Sequence, residues 1–415
     1  LGPGAAAVPG MVKGLFEIHR DLCTIPISRL AEPAIALARE GVPMNAFQSG
    51  VFDIIKPIYL HSDEARQIFS SPSNPSMLIR EGEILKLPEL ADTLQRLTLH
   101  GEDYFYEGEI AQSISKIFSG DGGGHLSPGG LRNYQVIKRK PLAFTYRDCA
   151  VSINPPPASG GILVAFALKL LESLKAGLPP FGSETYPDLL SQVQHMTNKA
   201  RVDALAADQP AGKLLDPAYL EQYRKEIAGR MPFNRGTTQI SIADSAGNLA
   251  SLTSSNGEGC GVMIPGTGIM LNNMLGEQDL NPGGFHTWEP NQRLTSMMAP
   301  GILKMKDNTD IVFGSGGSNR IRTAILQVLI NLIDFNMPLD KAVDSPRIHF
   351  EDGQLNAETG FDSNQLSGLE KRCPAIKIWK GKSLFFGGVH CLSRSPRGFT
   401  GSGDARRGGY SLVAE

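Results

Sequence analysis

Asn234-Arg-Gly-Thr-Thr-Gln-Ile-Ser-Ile-Ala243, then Asp244-Ser-Ala-Gly-Asn248, then Leu249-Ala-Ser-Leu-Thr-Ser254 is the stretch on which the fold turns. Thr238, Ile240 and Ile242 alternate with Gln239, Ser241 and Ala243, the period of two that a strand imposes on its faces, and Asp244 to Asn248 has the chemistry of a turn. The pattern predicts a two-stranded hairpin with Thr237 at its head. Alone, Gly236-Thr237 is an ordinary junction of loop and strand. Its company adds meaning, because the returning strand leads into Thr253-Ser-Ser-Asn-Gly257, rich in hydroxyls and able to lie beside Thr237. A threonine hydroxyl is a weak nucleophile unless a base adjoins it, and a free N-terminal amine on the same residue supplies that base without a histidine. Such chemistry requires a cut before Thr237. Gly236 suits that position, since glycine takes backbone conformations that expose a carbonyl to the following hydroxyl.

Upstream the chain reads mainly as helices. Pro33 to Glu40 stops at Gly41, Asp188 to Ala206 and Asp216 to Arg230 each open on an acidic residue, and Ile162 to Lys175 is apolar nearly all round, as a buried helix is. Downstream, Asp310 to Phe313 reads as a short strand. The loop Gly314-Ser-Gly-Gly-Ser-Asn319 follows, and then Arg320 to Phe335 with helical spacing at Ile321, Ile325, Val328, Leu329 and Leu332. Helices packed on sheet are the expected layers. The glycine loop would present several N–H groups at a helix N-terminus, a geometry suited to anionic oxygen. A phosphate loop is the competing idea, but the Gly-Lys-Ser/Thr that would follow is absent, as is the G-x-S-x-G of a serine hydrolase elbow.

Composition narrows the partners. The 415 residues are 41% hydrophobic and 20% charged, enough for one large core or two ordinary ones, and 40 basic against 42 acidic residues leave a net charge of −2. No charge excess exists to neutralise a phosphate backbone or an anionic bilayer, so neither nucleic acid nor a membrane surface is an expected partner. Apolar stretches such as Ile162 to Leu178 and Ala324 to Phe335 are interrupted by polar residues too soon to span a bilayer. Five scattered cysteines, with no C-x-x-C, indicate neither a disulfide framework nor a zinc site, and the eight histidines form no ligand motif. No metal or cofactor is implied. The opening Leu-Gly-Pro-Gly-Ala-Ala-Ala run has no signal-peptide pattern and reads as a cut through a longer product.

Six blocks stand in order along the chain: Val8-Pro-Gly-Met-Val-Lys-Gly14, Pro155-Pro-Pro-Ala-Ser-Gly-Gly161, Gly236-Thr-Thr-Gln-Ile-Ser241, Gly268-Ile-Met-Leu-Asn-Asn273, Leu294-Thr-Ser-Met-Met-Ala-Pro300 and Gly314-Ser-Gly-Gly-Ser-Asn-Arg320. Together they resemble the gamma-glutamyltranspeptidases, a family of the N-terminal nucleophile hydrolases. The resemblance implies an α/β fold, a four-layer αββα sandwich built as one domain from two pieces of one precursor, residues 1–236 and 237–415. It implies self-cleavage between Gly236 and Thr237, after which Thr237 is the nucleophile. Ser255 stands where the family has a second threonine that hydrogen-bonds the nucleophile. Gly317 and Ser318 stand at the two oxyanion-hole positions, and Thr295 and Ser296 at a Ser-Ser pair that contacts the substrate carboxylate. Glu277 stands where an aspartate binds the substrate α-amino group.

The departures have their own implications. Gly257 replaces a substrate-binding asparagine, a role that neighbouring Asn256 could take, and Met274 replaces a polar residue at the α-amino contact. Both widen the expected donor range. The short spacing between Glu277 and Thr295 implies an open groove without a lid. Family members carry an arginine that grips the substrate carboxylate on a stretch ahead of the V-P-G block, and that stretch is expected upstream of Leu1. The implied activity is hydrolysis or transfer of a γ-glutamyl group through an ester on Thr237, with water or an amino acid as acceptor and glutathione-like amides as donors. Poly-γ-glutamate or glutaryl donors, as in cephalosporin acylases, are the alternative, and a cleaved but inactive binding homologue is a third. The two pieces are expected to stay associated. The family is usually exported, which points to the periplasm or outside, with the cytoplasm still open.

Overall fold

The computed structural model describes residues 1–174, 177–206, 211–223, 237–281, 284–351, 353–361, 365–366, 369, 373 and 375–414. The chain forms two compact units, Leu1–Lys138 with Ser255–Trp288, and Arg139–Ser254 with Glu289–Glu415. Among the described residues, no helix is long and apolar enough to cross a membrane.

The first unit is helical, with α1 Met11–Leu22, α2 Ile27–Glu40, α3 Pro88–His100 and α4 Glu109–Phe118 as its longer helices. Pro88 opens α3 at a position where a missing N–H costs nothing, and Gly101 (φ 74°) ends it. On α4, Ile110, Ala111, Ile114 and Phe118 recur at helical spacing and are all buried. They join Leu97, Phe105 and Tyr106 in a core that also takes in Ala5, Ala6, Cys260, Ile264 and Leu271. The Asn272 amide fastens the two distant blocks of this unit, since its Nδ2 donates to Ala7 O (2.8 Å) and its Oδ1 accepts from Ala7 N (3.0 Å). Helix α2 starts at Ile27, ahead of the expected Pro33, and keeps Pro33 inside it at the loss of one backbone donor.

The second unit is layered. Its elements are β1 Leu142–Tyr146, β2 Cys149–Ile153, α5 Ser159–Glu172, α6 Thr185–Ala206, β3 Thr238–Ala243, β4 Leu249–Ser254, β5 Gly301–Lys304, β6 Asp310–Gly316, α7 Arg320–Ile333, β7 Ile348–Glu351, β8 Gln354–Glu358, β9 Ala375–Trp379, β10 Gly388–Ser395 and β11 Gly398–Ser402. A six-stranded sheet runs in the order β11-β10-β6-β5-β2-β1, every neighbouring pair antiparallel. Helices α5 and α7 pack on the sheet and on each other, and the β3–β4 hairpin packs over β6 and β10. This helix, sheet and hairpin stack is the α, β, β part of the expected sandwich. Covered on both faces, β6 buries Ile311, Val312 and Phe313 in succession.

Several features of this unit differ from the sequence reading. The hairpin β1–β2 lies in the part read mainly as helix. Its turn is Arg147-Asp148, both at positive φ (49° and 65°), a two-residue reversal without the Asn-Gly signature that would announce it. Strand β6 runs on through Gly314 and Ser315 to Gly316, which pair with His390, Val389 and Gly388, so the loop proper is only Gly317 to Asn319. Helix α5 begins at Ser159, ahead of Ile162, because Gly160 and Gly161 let it start against backbone: a Cβ on either would overlap Met297 O or Asn154 O. Of the helix expected over Asp216 to Arg230, the described part is Pro217–Tyr223.

Candidate active site

Thr237 immediately precedes β3, whose first residue, Thr238, lies opposite Ser254. A Cβ on Gly316 would overlap the Thr237 carbonyl oxygen and come within 3.5 Å of the Thr237 Cβ, so the absence of a side chain at 316 is what lets Thr237 rest on the end of β6. One step along the hairpin the same is true of Gly314 and the Gln239 amide. The hairpin turns its polar face toward the sheet: Gln239 Nε2 donates to Ser241 Oγ (3.1 Å) and Ser251 Oγ (2.9 Å), and its Oε1 accepts from Thr253. Ser251 Oγ donates to Phe313 O (2.8 Å) on β6, and Ser241 Oγ to His390 O (3.0 Å) on β10. Ile240 and Ile242 consequently face outward, 48% and 55% exposed. These bonds fix the register that sets Thr237 against Gly316. Gly236, the other side of the expected cut, lies outside the described residues.

The turn after β6 is held in an uncommon conformation. Gly317 has φ 130° and Ser318, buried, has φ 51°, a left-handed value that an L-residue keeps only when its surroundings impose it. A Cβ on Gly317 would lie 2.8 Å from Gly387 Cα and 3.2 Å from an Arg407 guanidinium nitrogen. Arg320 N donates to Gly317 O and Ile321 N to Ser318 O, both at 3.0 Å, so the turn runs directly into the first turn of α7, where the helix dipole favours negative charge.

Thr295 and Ser296 are stitched to the Pro155–Gly161 block. Ser296 O accepts from Ser159 N (2.7 Å), and Thr295 Oγ1 donates to Pro157 O (2.9 Å), so the Thr295 hydroxyl must rotate to give its proton to a ligand.

The remaining expected residues belong to the helical unit and come together there. Gly257 (φ 61°) packs so closely that a Cβ would overlap Asn273 Oδ1 and Glu277 Oε1. Its N–H donates to Ser255 Oγ (3.1 Å). Asn273 bridges to Glu258 through Oδ1, which accepts from Glu258 N, and Nδ2, which donates to Glu258 Oε2, both at 3.1 Å. Burial first, and then the Glu258 charge, push the Tyr59 hydroxyl above its ordinary pKa. Asn256 is exposed and engaged with its own loop, its Nδ2 donating to Met270 O (3.2 Å) and its carbonyl accepting from Gly259 N and Asn273 N. Glu277 is buried, with its carbonyl accepting from Asn281 Nδ2 (2.5 Å); the same amide reaches Met274 O and Leu275 O, and Asn281 Oδ1 accepts from Trp288 Nε1. Asn281 therefore clamps the turn carrying both Met274 and Glu277.

Sequence reasoning missed Asn273, Asn281, Gln239 and Arg407. Asn273 lay within a quoted block, but nothing in its spacing signals contact with residues 256 to 258. Among the described residues, no cluster of three or more His, Cys, Asp or Glu side chains is arranged to hold a metal ion.

Comparison with known proteins places this arrangement in context. The family model described as Gamma-glutamyltranspeptidase matches residues 1–414. The chain is 28% identical over 420 residues to the Acylase ACY 1 proenzyme of Pseudomonas sp. (strain V22), covering 96% of this chain and 73% of that protein. It is 31% identical over 384 residues to the Glutathione hydrolase proenzyme of Pseudomonas aeruginosa, covering 85% and 67%. Among solved structures, the cephalosporin acylase from Bacillus halodurans superposes with a TM-score of 0.82 at 26% identity, covering 100% of this chain and 80% of that one. The glycine-lined seat of Thr237, the left-handed turn ahead of α7 and a match that runs from the first residue to the last but one all agree, and the chain belongs to the gamma-glutamyltranspeptidase family of N-terminal nucleophile hydrolases.

Proposed function

We propose that the chain cuts itself between Gly236 and Thr237 and then hydrolyses or transfers γ-glutamyl groups from glutathione-like amides. The observation that carries the reading is the seating of Thr237 on Gly316, next to the Gly317-Ser318 turn. The Thr237 hydroxyl oxygen attacks the amide carbonyl carbon and gives its proton to the new α-amine of the same residue. The N–H groups of Gly317 and Ser318 hold the resulting oxyanion. The C–N bond breaks, the amine returns the proton to the leaving nitrogen, and an ester remains on Thr237. Water or an amino acid then attacks that ester and restores the hydroxyl. On the family resemblance we assign Ser255 to the hydrogen bond with the nucleophile, Glu277 to the donor α-amino group, Thr295 and Ser296 to its carboxylate, and Asn256 and Met274 to substrate binding.

The two pieces, 1–236 and 237–415, are expected to stay together, because β2 from the first pairs with β5 from the second along Ala150 to Ile153. We place the enzyme in the periplasm or outside the cell on family grounds.

A second reading keeps the nucleophile and changes the acyl group to glutaryl or poly-γ-glutamate. It is favoured by Gly257 and Met274 and by the likeness to an acylase and a cephalosporin acylase. Intact mass with N-terminal analysis, followed by turnover of a γ-glutamyl anilide and its glutaryl counterpart, tests both. A new N-terminus at Thr237 with preference for the γ-glutamyl compound supports the first reading, and preference for the glutaryl compound supports the second. A cleaved protein that turns over neither compound and that an acylating glutamine analogue fails to label is an inactive binding homologue.

A further inference from the structure

The residue after the left-handed turn, Asn319, is buried, and its side chain joins a polar ring. Asn319 Nδ2 donates to Glu351 Oε1 (3.2 Å), Arg322 Nη2 donates to the same oxygen (2.9 Å), and Arg322 Nε returns to the Asn319 carbonyl (3.3 Å). The other carboxylate oxygen, Oε2, meets His349 Nε2 (3.2 Å), while His349 Nδ1 meets Thr323 Oγ1 (3.0 Å) on α7. Arg322 Nη2 also reaches Asn198 Oδ1 (3.2 Å) on α6. Glu351, at the end of β7, is thus tied to both sides of residue 319 and to the first turn of α7.

Three physical facts make this more than packing. The ring closes on the residue that directly follows Ser318, whose φ of 51° needs an external constraint. Arg320 and Arg322 put two buried cations in the first turn of α7, the end at which the helix dipole disfavours positive charge, and among the described residues Glu351 is a carboxylate hydrogen-bonded to Arg322. Finally, a buried charge cluster of this kind costs desolvation that apolar residues would avoid, so stability alone does not account for its presence.

The geometry points to Glu351 as a positioning residue that, acting through Asn319, holds the Gly317-Ser318 turn in the conformation an oxyanion needs. The inference rests on the reading of Gly317 and Ser318 as oxyanion donors. Glu351 touches neither substrate nor Thr237 in this scheme.

The test uses the full chain with Asn319→Ala, Glu351→Gln and the double variant. Asn319→Ala removes the tether and leaves the pair of Glu351 and Arg322 intact, so it decides the matter even if Glu351→Gln folds poorly. Removing an oxyanion donor outright costs about 10²-fold to 10³-fold in kcat, so a donor left in place but loosened should cost on the order of 10-fold to 10²-fold, with KM within about 2-fold. The double variant should be no slower than the slower single variant, because Asn319→Ala removes the tether that Glu351→Gln weakens. Amide hydrogen exchange of the peptide 314–321, read in the same variants, should speed up. If Asn319→Ala leaves kcat and exchange unchanged, or changes KM alone, the inference is overturned. If the parent protein turns over no amide while exchange responds as stated, the functional reading fails and the positioning role of Glu351 stands.

Discussion

The carbonyl oxygen of Thr237 and the α-carbon of Gly316 approach so closely that no side chain fits between them. Gly316→Ala should therefore push the head of the hairpin off β6. Overpacking of this kind costs about 1 to 3 kcal/mol in stability. The rate should fall by roughly 10²-fold or more, the scale of a small misplacement of reacting groups. Thermal melts and single-turnover acylation would measure the two effects separately. Gly50→Ala, at a helical position with nothing within 4 Å, serves as the control and should leave turnover unchanged.

Thr237→Ala should remain one chain of 415 residues by intact mass, since the missing hydroxyl is the attacking group in the cut as well as in acyl transfer. Thr237→Ser keeps the hydroxyl and should still cut. An alanine variant that yields pieces of 236 and 179 residues would remove Thr237 from the mechanism.

Gly257→Ala introduces a Cβ into space held by Asn273 Oδ1 and Glu277 Oε1, at a φ of 61° that alanine adopts only with strain. Displacing Glu277 should raise KM for γ-glutamyl donors by about 10-fold or more, the equivalent of roughly 1.4 kcal/mol. Glu277→Gln should do the same by weakening the ion pair, while glutaryl donors, which lack the α-amine, should be spared. Steady-state kinetics on the matched pair of donors checks both substitutions.

Acid should destabilise the second unit in two stages. Burial, ahead of any other cause, lowers the pKa of His195, His349 and His390 below the ordinary 6.5; the folded state therefore resists taking up protons that the unfolded chain accepts. Stability falls as pH drops below about 6.5. Glu351 loses hydration through burial, which alone would raise its pKa, but the His349 hydrogen bond and the Arg322 charge overcome this and bring it from 4.5 to about 2. Its contribution, on the order of 3 kcal/mol, is present above pH ~4.5 and is lost as pH falls toward 2. Melting temperatures from pH 8 to pH 3 should show a first decline between pH 7 and pH 5. In Glu351→Gln the second decline should be reduced, from a lower starting stability.

The features legible in the sequence are those whose causes are local. The alternation of Thr238, Ile240 and Ile242 and the turn at Asp244 to Asn248 were enough for β3 and β4, since a strand's faces and a tight turn are set by neighbours a few residues apart. The order of strand, glycine turn and helix from Asp310 to Ile333 was readable for the same reason, and the six ordered blocks carried the family. The β1–β2 hairpin was not readable, because Arg147-Asp148 hides its turn behind residues that seldom take positive φ.

Tertiary structure alone decided which face of the hairpin is inward. An apolar stripe at Ile240 and Ile242 looks like a core face, yet the sheet beneath offers the carbonyls of Phe313 and His390, and hydrogen bonding draws Ser241 and Ser251 inward instead. It also decided why certain glycines are needed, since Gly316 and Gly257 answer to atoms of Thr237, Asn273 and Glu277 that no local pattern brings near. The pairing of β2 with β5 and the ring joining Asn319, Arg322 and Glu351 belong to the same class. A contact between residues far apart in the chain leaves no periodic trace in either segment, and only the closed fold, with its buried charges brought within hydrogen-bonding distance, reveals that each side chain has a partner.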